Sequence, residues 1–89
     1  MKRDYSDPSY KKWRKQIYDR DDHKCQWPGC DQTKKLQAHH IYRWVDFPGL
    51  RYHPNNGITL CKNHHKLITN NEDDYRLFFS NLLINKKKQ

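Results

Sequence analysis

The stretches LQAHHI (residues 36–41) and NGITLCKNHH (residues 56–65) decide how this chain is read. Leu36 to Ile41 reads as a short β-strand, and Ile58 to Leu60 as a second one that runs into a helix starting near Cys61 or Lys62. Side chains alternate along a strand, so His39 and His40 point to opposite sides of it. Along a helix, adjacent side chains diverge by roughly 100 degrees, so His64 and His65 are poorly placed to share one ion. The two histidine pairs therefore divide between different sites.

Working outward on the N-terminal side, residues 25–30 read CQWPGC, where Pro28-Gly29 marks a tight turn that brings Cys25 and Cys30 together. About thirty residues later Cys61 and His64 form a second pair at the start of the helix. Two such pairs are what a closed, tetrahedral zinc site takes, and tying the knuckle to the helix would give it a structural job. By residue type alone His65 could replace His64, and only geometry decides between them. Without metal, the cysteines would be small buried hydrophobes.

Between the strands lies a long loop, about Tyr42 to Gly57, of a length that is usually functional or disordered. Trp44, Phe47, Pro48, Leu50 and Tyr52 give it apolar material with which to pack upon itself. Ahead of the knuckle, Ser6 or Asp7 followed by Pro8 starts a helix expected over about residues 8 to 22. Tyr10, Trp13 and Ile17 form its apolar stripe, and Lys11, Lys12, Arg14 and Lys15 crowd its other faces as either a phosphate-binding or a solvated surface. Behind the finger, Asn70 to Asp74 supply caps and first-turn acids for a packing helix that buries Tyr75, Phe78, Phe79, Leu82 and Leu83. Lys86 to Lys88 complement its C-terminal dipole. The expected fold class is α+β in one domain, residues 1–89: a small ββα finger with flanking N- and C-terminal helices and a structural zinc site.

Composition agrees. Eighty-nine residues with 34% hydrophobic and 31% charged side chains make a marginal core that a metal staple would support. Eighteen Lys+Arg against ten Asp+Glu, a net charge of +8, favour a polyanionic partner, nucleic acid first. Three cysteines cannot pair completely, the sequence MKRDYSDPSY lacks the apolar core of a signal peptide, and no apolar run approaches a bilayer's thickness. A reduced, cytoplasmic protein with no membrane contact is expected.

If His64 closes the zinc site, His65 faces elsewhere and meets one histidine of the 39–40 pair at a second metal, leaving the other to act on water. Phosphodiester hydrolysis asks for that divergence, because the attacking water and the leaving oxygen lie on opposite sides of phosphorus. A neutral histidine has a suitable pKa for the proton. Asn56, just before the second strand, is a candidate to orient that base, although Asn-Asn-Gly also favours a tight bend on its own.

AHHI, then NNGITLC, then NHH resemble the HNH endonuclease family, whose active site is the ββα-metal finger, over about residues 25 to 68. The resemblance implies a DNA endonuclease that leaves 5′-phosphate and 3′-hydroxyl ends. Carried over, His40 is the general base, His39 and His65 hold the catalytic divalent cation, and Asn56 orients the base and pins the loop. Cys25, Cys30, Cys61 and His64 hold one structural Zn2+. Many relatives have Cys where His64 stands, and some add a metal histidine where this chain has Thr69. With two protein ligands the catalytic ion would keep waters, which suits Mg2+, while its imidazoles suit Mn2+, Ni2+ or Zn2+.

Arg43 and Arg51 are candidate phosphate contacts or, equally, loop-packing residues. His23 and His53 stand alone and are read as surface residues. The expected partner is DNA, with the protein a monomer or homodimer; standalone size suits a bacteriophage enzyme, working in host cytoplasm or within a larger DNA-processing complex. The alternatives are a noncatalytic, zinc-stabilised nucleic-acid-binding module and a protein-interaction module.

Overall fold

Helix α1 (Pro8–Arg20) starts where a capped, proline-led turn should: Asp7 accepts a hydrogen bond from the Ser9 N–H at 2.8 Å, and Pro8 needs no partner for a missing N–H. The computed structural model describes residues 6–44 and 46–87, without the side chains of Lys86 and Lys87. Part of MKRDYSDPSY, the tip of the basic tail at Lys88 and the side chains of Lys86 and Lys87 thus lie outside the description.

The helix ends at Arg20, earlier than the expected residue 22. Asp21 turns its carboxylate into the core, and Asp22 and His23 take left-handed φ values of 57° and 54°, which helical residues do not. The fully buried Asp21 carboxylate accepts Arg20 Nε and Nη2, both at 2.9 Å, and the Thr59 N–H at 2.9 Å. Arg20 also donates to the carbonyls of Gly57 at 2.7 Å and Pro54 at 3.1 Å. A buried carboxylate is tolerable only when paired and hydrogen-bonded, and this one locks the end of α1 onto the second strand.

Strands β1 (Leu36–His40) and β2 (Gly57–Cys61) form a two-stranded antiparallel sheet in which His39 lies opposite Ile58 and His40 opposite Gly57. Residues opposite one another share a face. The face with His40 and Gly57 meets α1, where Tyr10, Trp13 and Ile17 pack with Trp44. The other face, with Ile58, meets helix α2 (Lys62–Ile68) through Ile68 and helix α3 (Arg76–Lys87) through Phe79 and Leu83, with Cys25, Ile41 and Leu60 in the same cluster. Covered on both sides, β2 is buried at every position.

Gly57 is where the two halves come closest. A Cβ there would lie 2.6 Å from Trp13 Cζ2 and 2.7 Å from Ile17 Cδ1, so the glycine is required by packing. The Trp13 indole N–H donates to the His53 carbonyl at 3.0 Å, satisfying the polar edge of a ring that is 1% exposed.

The loop between the strands carries a short 3-10 turn, Pro48–Leu50, and packs partly upon itself through Tyr42 against Phe47 and Trp44 against Tyr52. Trp44 also joins the α1 cluster, so the loop is anchored to the core as well. Before α3, Glu72–Tyr75 form a separate 3-10 turn, not the first turn of a continuous helix. Among the described residues no helix is long and apolar enough to cross a membrane.

Candidate metal centre and histidine cavity

A cluster of metal-ligating side chains and a separate histidine cavity lie beside β2 and α2. In the first, the Cys25, Cys30, Cys61 and His64 ligand atoms all lie within 4.8 Å of one another, with Cys25 Sγ and Cys61 Sγ 3.5 and 3.2 Å from His64 Nδ1. Tetrahedral zinc with Zn–S near 2.3 Å and Zn–N near 2.0–2.1 Å places sulfur and nitrogen about 3.5 Å apart, so this donor set fits the ion. The knuckle is shaped by turns: the Cys25 N–H donates to the Gln32 carbonyl and the Cys30 N–H to the Trp27 carbonyl, each at 2.9 Å. Trp27 stacks flat on the His64 ring at 4.8 Å and 7°, fixing that imidazole from its open side.

Burial pushes the Cys25 thiol up to about 11. Burial also acts on Cys61, but it is outweighed by the backbone N–H groups of His64 and Asn63 and by the Cys25 thiol, and Cys61 titrates below the ordinary thiol range. A cation at the centre of the set would favour the thiolate at both.

The helical divergence of the 64–65 pair settles which histidine goes where. His64 turns its Nδ1 to the cysteines, while the His65 ring faces His39 across 5.6 Å at 71°. Two imidazoles sharing one ion at about 2.1 Å would hold their ring centres roughly 5 Å apart, close to this separation. Both line a cavity of about 270 Å³ together with His40, Arg43, Trp44 and Glu72. Its donors do not converge as tightly as the cysteine set, which among the described residues is the one compact group of three or more. Two imidazoles and a carboxylate nevertheless suit a divalent ion that keeps waters and takes oxygens from a substrate.

His40 leaves β1 on the opposite side from His39. Its ring stacks on Trp13 at 4.0 Å and 12° and meets the edge of Trp44 at 5.5 Å. Its Nε2 lies 2.8 Å from the Arg51 carbonyl oxygen. A carbonyl can only accept, so Nε2 carries the proton and Nδ1 is the basic nitrogen of the neutral ring.

The family resemblance implies two tasks for Asn56, orienting the base and pinning the loop, and the hydrogen bonds it makes run to the loop. Asn56 Oδ1 accepts the Tyr42 N–H at 2.6 Å, and Nδ2 donates to the carbonyls of Tyr42 at 3.1 Å and Leu50 at 2.9 Å. Holding Leu50 places the next carbonyl, that of Arg51, on His40. Of the two loop arginines, Arg43 reaches the cavity, with Nε 3.4 Å from Asp46. Arg51 packs instead: its Nε donates to the Trp44 carbonyl at 2.8 Å and its guanidinium lies 4.4 Å over the Trp44 ring.

Three contributors had no signal in the local pattern. Glu72 reads as a first-turn acid but lines the histidine cavity. Trp13 reads as one member of an apolar stripe but is the surface against which His40 rests. The Arg51 carbonyl is main chain, so no residue type announces it.

A family model described as HNH endonuclease matches residues 24–72, 49 of the 89 residues. This chain belongs to the HNH endonuclease family. No curated protein and no solved structure gives a significant match. Membership points to nuclease activity or nucleic-acid binding, and the Cys3His group can hold zinc.

Proposed function

We propose that the protein is a metal-dependent DNA endonuclease that hydrolyses phosphodiester bonds to 5′-phosphate and 3′-hydroxyl ends. The observation that carries this reading is the divergence of β1's two histidines over one cavity: His39 faces His65, while His40 is held in a single tautomer by the Arg51 carbonyl. A divalent ion held by His39 and His65, with Glu72 adding a carboxylate, would neutralise charge developing on the scissile phosphate and the leaving oxygen. His40 Nδ1 takes the proton of the attacking water, with the ring held flat against Trp13. Asn56 keeps the loop, and with it the Arg51 carbonyl, in place. Arg43 meets a substrate phosphate from the cavity rim; Arg51 contributes through the loop it packs rather than through a phosphate.

The test is an end-labelled DNA duplex incubated with the zinc-loaded protein and Mg2+ or Mn2+, with product termini assayed by ligation and by phosphatase sensitivity. Products carrying 5′-phosphate and 3′-hydroxyl ends are expected. Binding without cleavage under every divalent ion tried would instead make the chain a noncatalytic, zinc-stabilised nucleic-acid-binding module.

A further inference from the structure

Beyond the histidine cavity, a second and larger hollow of about 500 Å³ is lined by Lys34, Lys35, Lys62 and Lys66 with Gln32, Cys61 and Asn63, and by no acidic residue. It lies where the zinc knuckle meets the start of α2. The two lysine-bearing segments are clasped by the Lys62 N–H donating to the Lys35 carbonyl at 3.0 Å. Gln32 Oε1 shapes the turn before them by accepting the N–H groups of Thr33 at 3.1 Å and Lys34 at 3.3 Å.

All four lysines are exposed, and among the described residues none of them is engaged in an ion pair. Lys62 and Lys66 stand four apart on one helix face, a like-charge spacing that weakens a helix. Four uncompensated charges around one hollow repel one another, and a polyanion relieves that repulsion. Cys61 lines the hollow too, so it borders the zinc set, while His65, which lines the histidine cavity, directly precedes Lys66 in α2.

A third hollow, with Arg14 and Gln37 in its lining, shares Ala38 and His65 with the histidine cavity and reaches Leu36, the chain neighbour of Lys35.

We propose that Lys34, Lys35, Lys62 and Lys66 form a second phosphate-binding site for the backbone of a DNA duplex, separate from the cavity that presents the bond to His40. The proposal rests on the DNA-cleaving reading for the position of the cut, but its binding claim is measured without cleavage.

The experiment is fluorescence anisotropy of the full-length, zinc-loaded protein on a labelled duplex across a salt series, with no other divalent ion added. Wild type is compared with Lys34→Gln/Lys35→Gln/Lys62→Gln/Lys66→Gln and with a charge-matched control, Lys11→Gln/Lys12→Gln/Lys15→Gln/Lys24→Gln. Each phosphate contact removed should lower the slope of log Kd against log salt by about 0.9. The cavity variant is expected to lose a slope of roughly 2 or more and to bind at least about tenfold more weakly, exceeding the control. If zinc content or circular dichroism shows that the quadruple variant misfolds, Lys62→Gln/Lys66→Gln serves, with a loss of about 1 to 2 in slope expected. A cavity variant that binds with the wild-type slope and affinity, or a control that loses as much, overturns the proposal. Binding that depends on the four lysines in a protein that never cuts DNA would leave the second site standing and sink the nuclease reading alone.

Discussion

Gly57 shows how one residue carries information about a partner forty positions away. The turn signal of Asn-Asn-Gly is visible in sequence, but the 2.6 Å approach of Trp13 Cζ2 is not, because α1 is placed by tertiary packing. Gly57→Val should cost at least about 2–3 kcal/mol by overpacking, read as a lower urea midpoint; an unchanged midpoint would show that α1 yields easily. Asp21 is hidden for a similar reason, since it reads as one of several acids at a helix end. Removing it leaves Arg20 facing backbone carbonyls without its carboxylate and leaves the Thr59 N–H without its acceptor, so Asp21→Ala should destabilise by about 3 kcal/mol. A loss below about 1 kcal/mol would mean that water replaces the carboxylate. By contrast, the separation of His39 from His40 was legible at once, because strand alternation is a local rule.

Among the elements, β1, β2, α1 and α2 were legible from periodicity and capping to within a few residues, since the signals are local: Asp7-Pro8 at one end, the alternation around the histidines at the other. The end of α1 and the break between the 3-10 turn at Glu72 and α3 were not: the first is set by Asp21 turning inward, and the acids of Glu72 to Asp74 suit a 3-10 turn and a helical first turn alike. The assignment of His64 to the cysteines needed geometry, which the helix supplies. That metal set joins the knuckle to α2, so removing zinc should loosen both. Chelation is expected to lower the melting temperature by at least roughly 10 °C, each kcal/mol moving a domain of this size by about 4–8 °C. Because burial holds the Cys25 thiol near 11, zinc must displace its proton at neutral pH. Apparent zinc affinity should therefore rise between pH 6 and 8, about tenfold per unit for each proton displaced. In the metal-free protein the sign is the reverse: the raised thiol favours the folded state below the ordinary thiol pKa, and that contribution fades as pH climbs from 9 towards 11. A zinc affinity that is flat with pH would show that the sulfurs are not the ligands.

At the scale of the whole molecule, a chain with +8 net charge distributes its chemistry around one small sheet. His64 joins the zinc set and His65 the histidine cavity, and the lysine hollow borders the zinc set through Cys61. The charge made a polyanionic partner legible, but composition does not say which lysines gather in one place, and Lys34, Lys35, Lys62 and Lys66 meet only when the knuckle folds onto α2. The proposed nuclease depends on His40 acting as the base. The measurement is single-turnover conversion of supercoiled plasmid by zinc-loaded protein with added Mg2+ or Mn2+, wild type beside His40→Ala, with zinc content and duplex binding checked in both. Wild type is expected to nick or linearise the plasmid only with the added metal, and the variant to do so at a rate lower by about 10²- to 10⁴-fold, with zinc retained. Equal cleavage by the two proteins would contradict it.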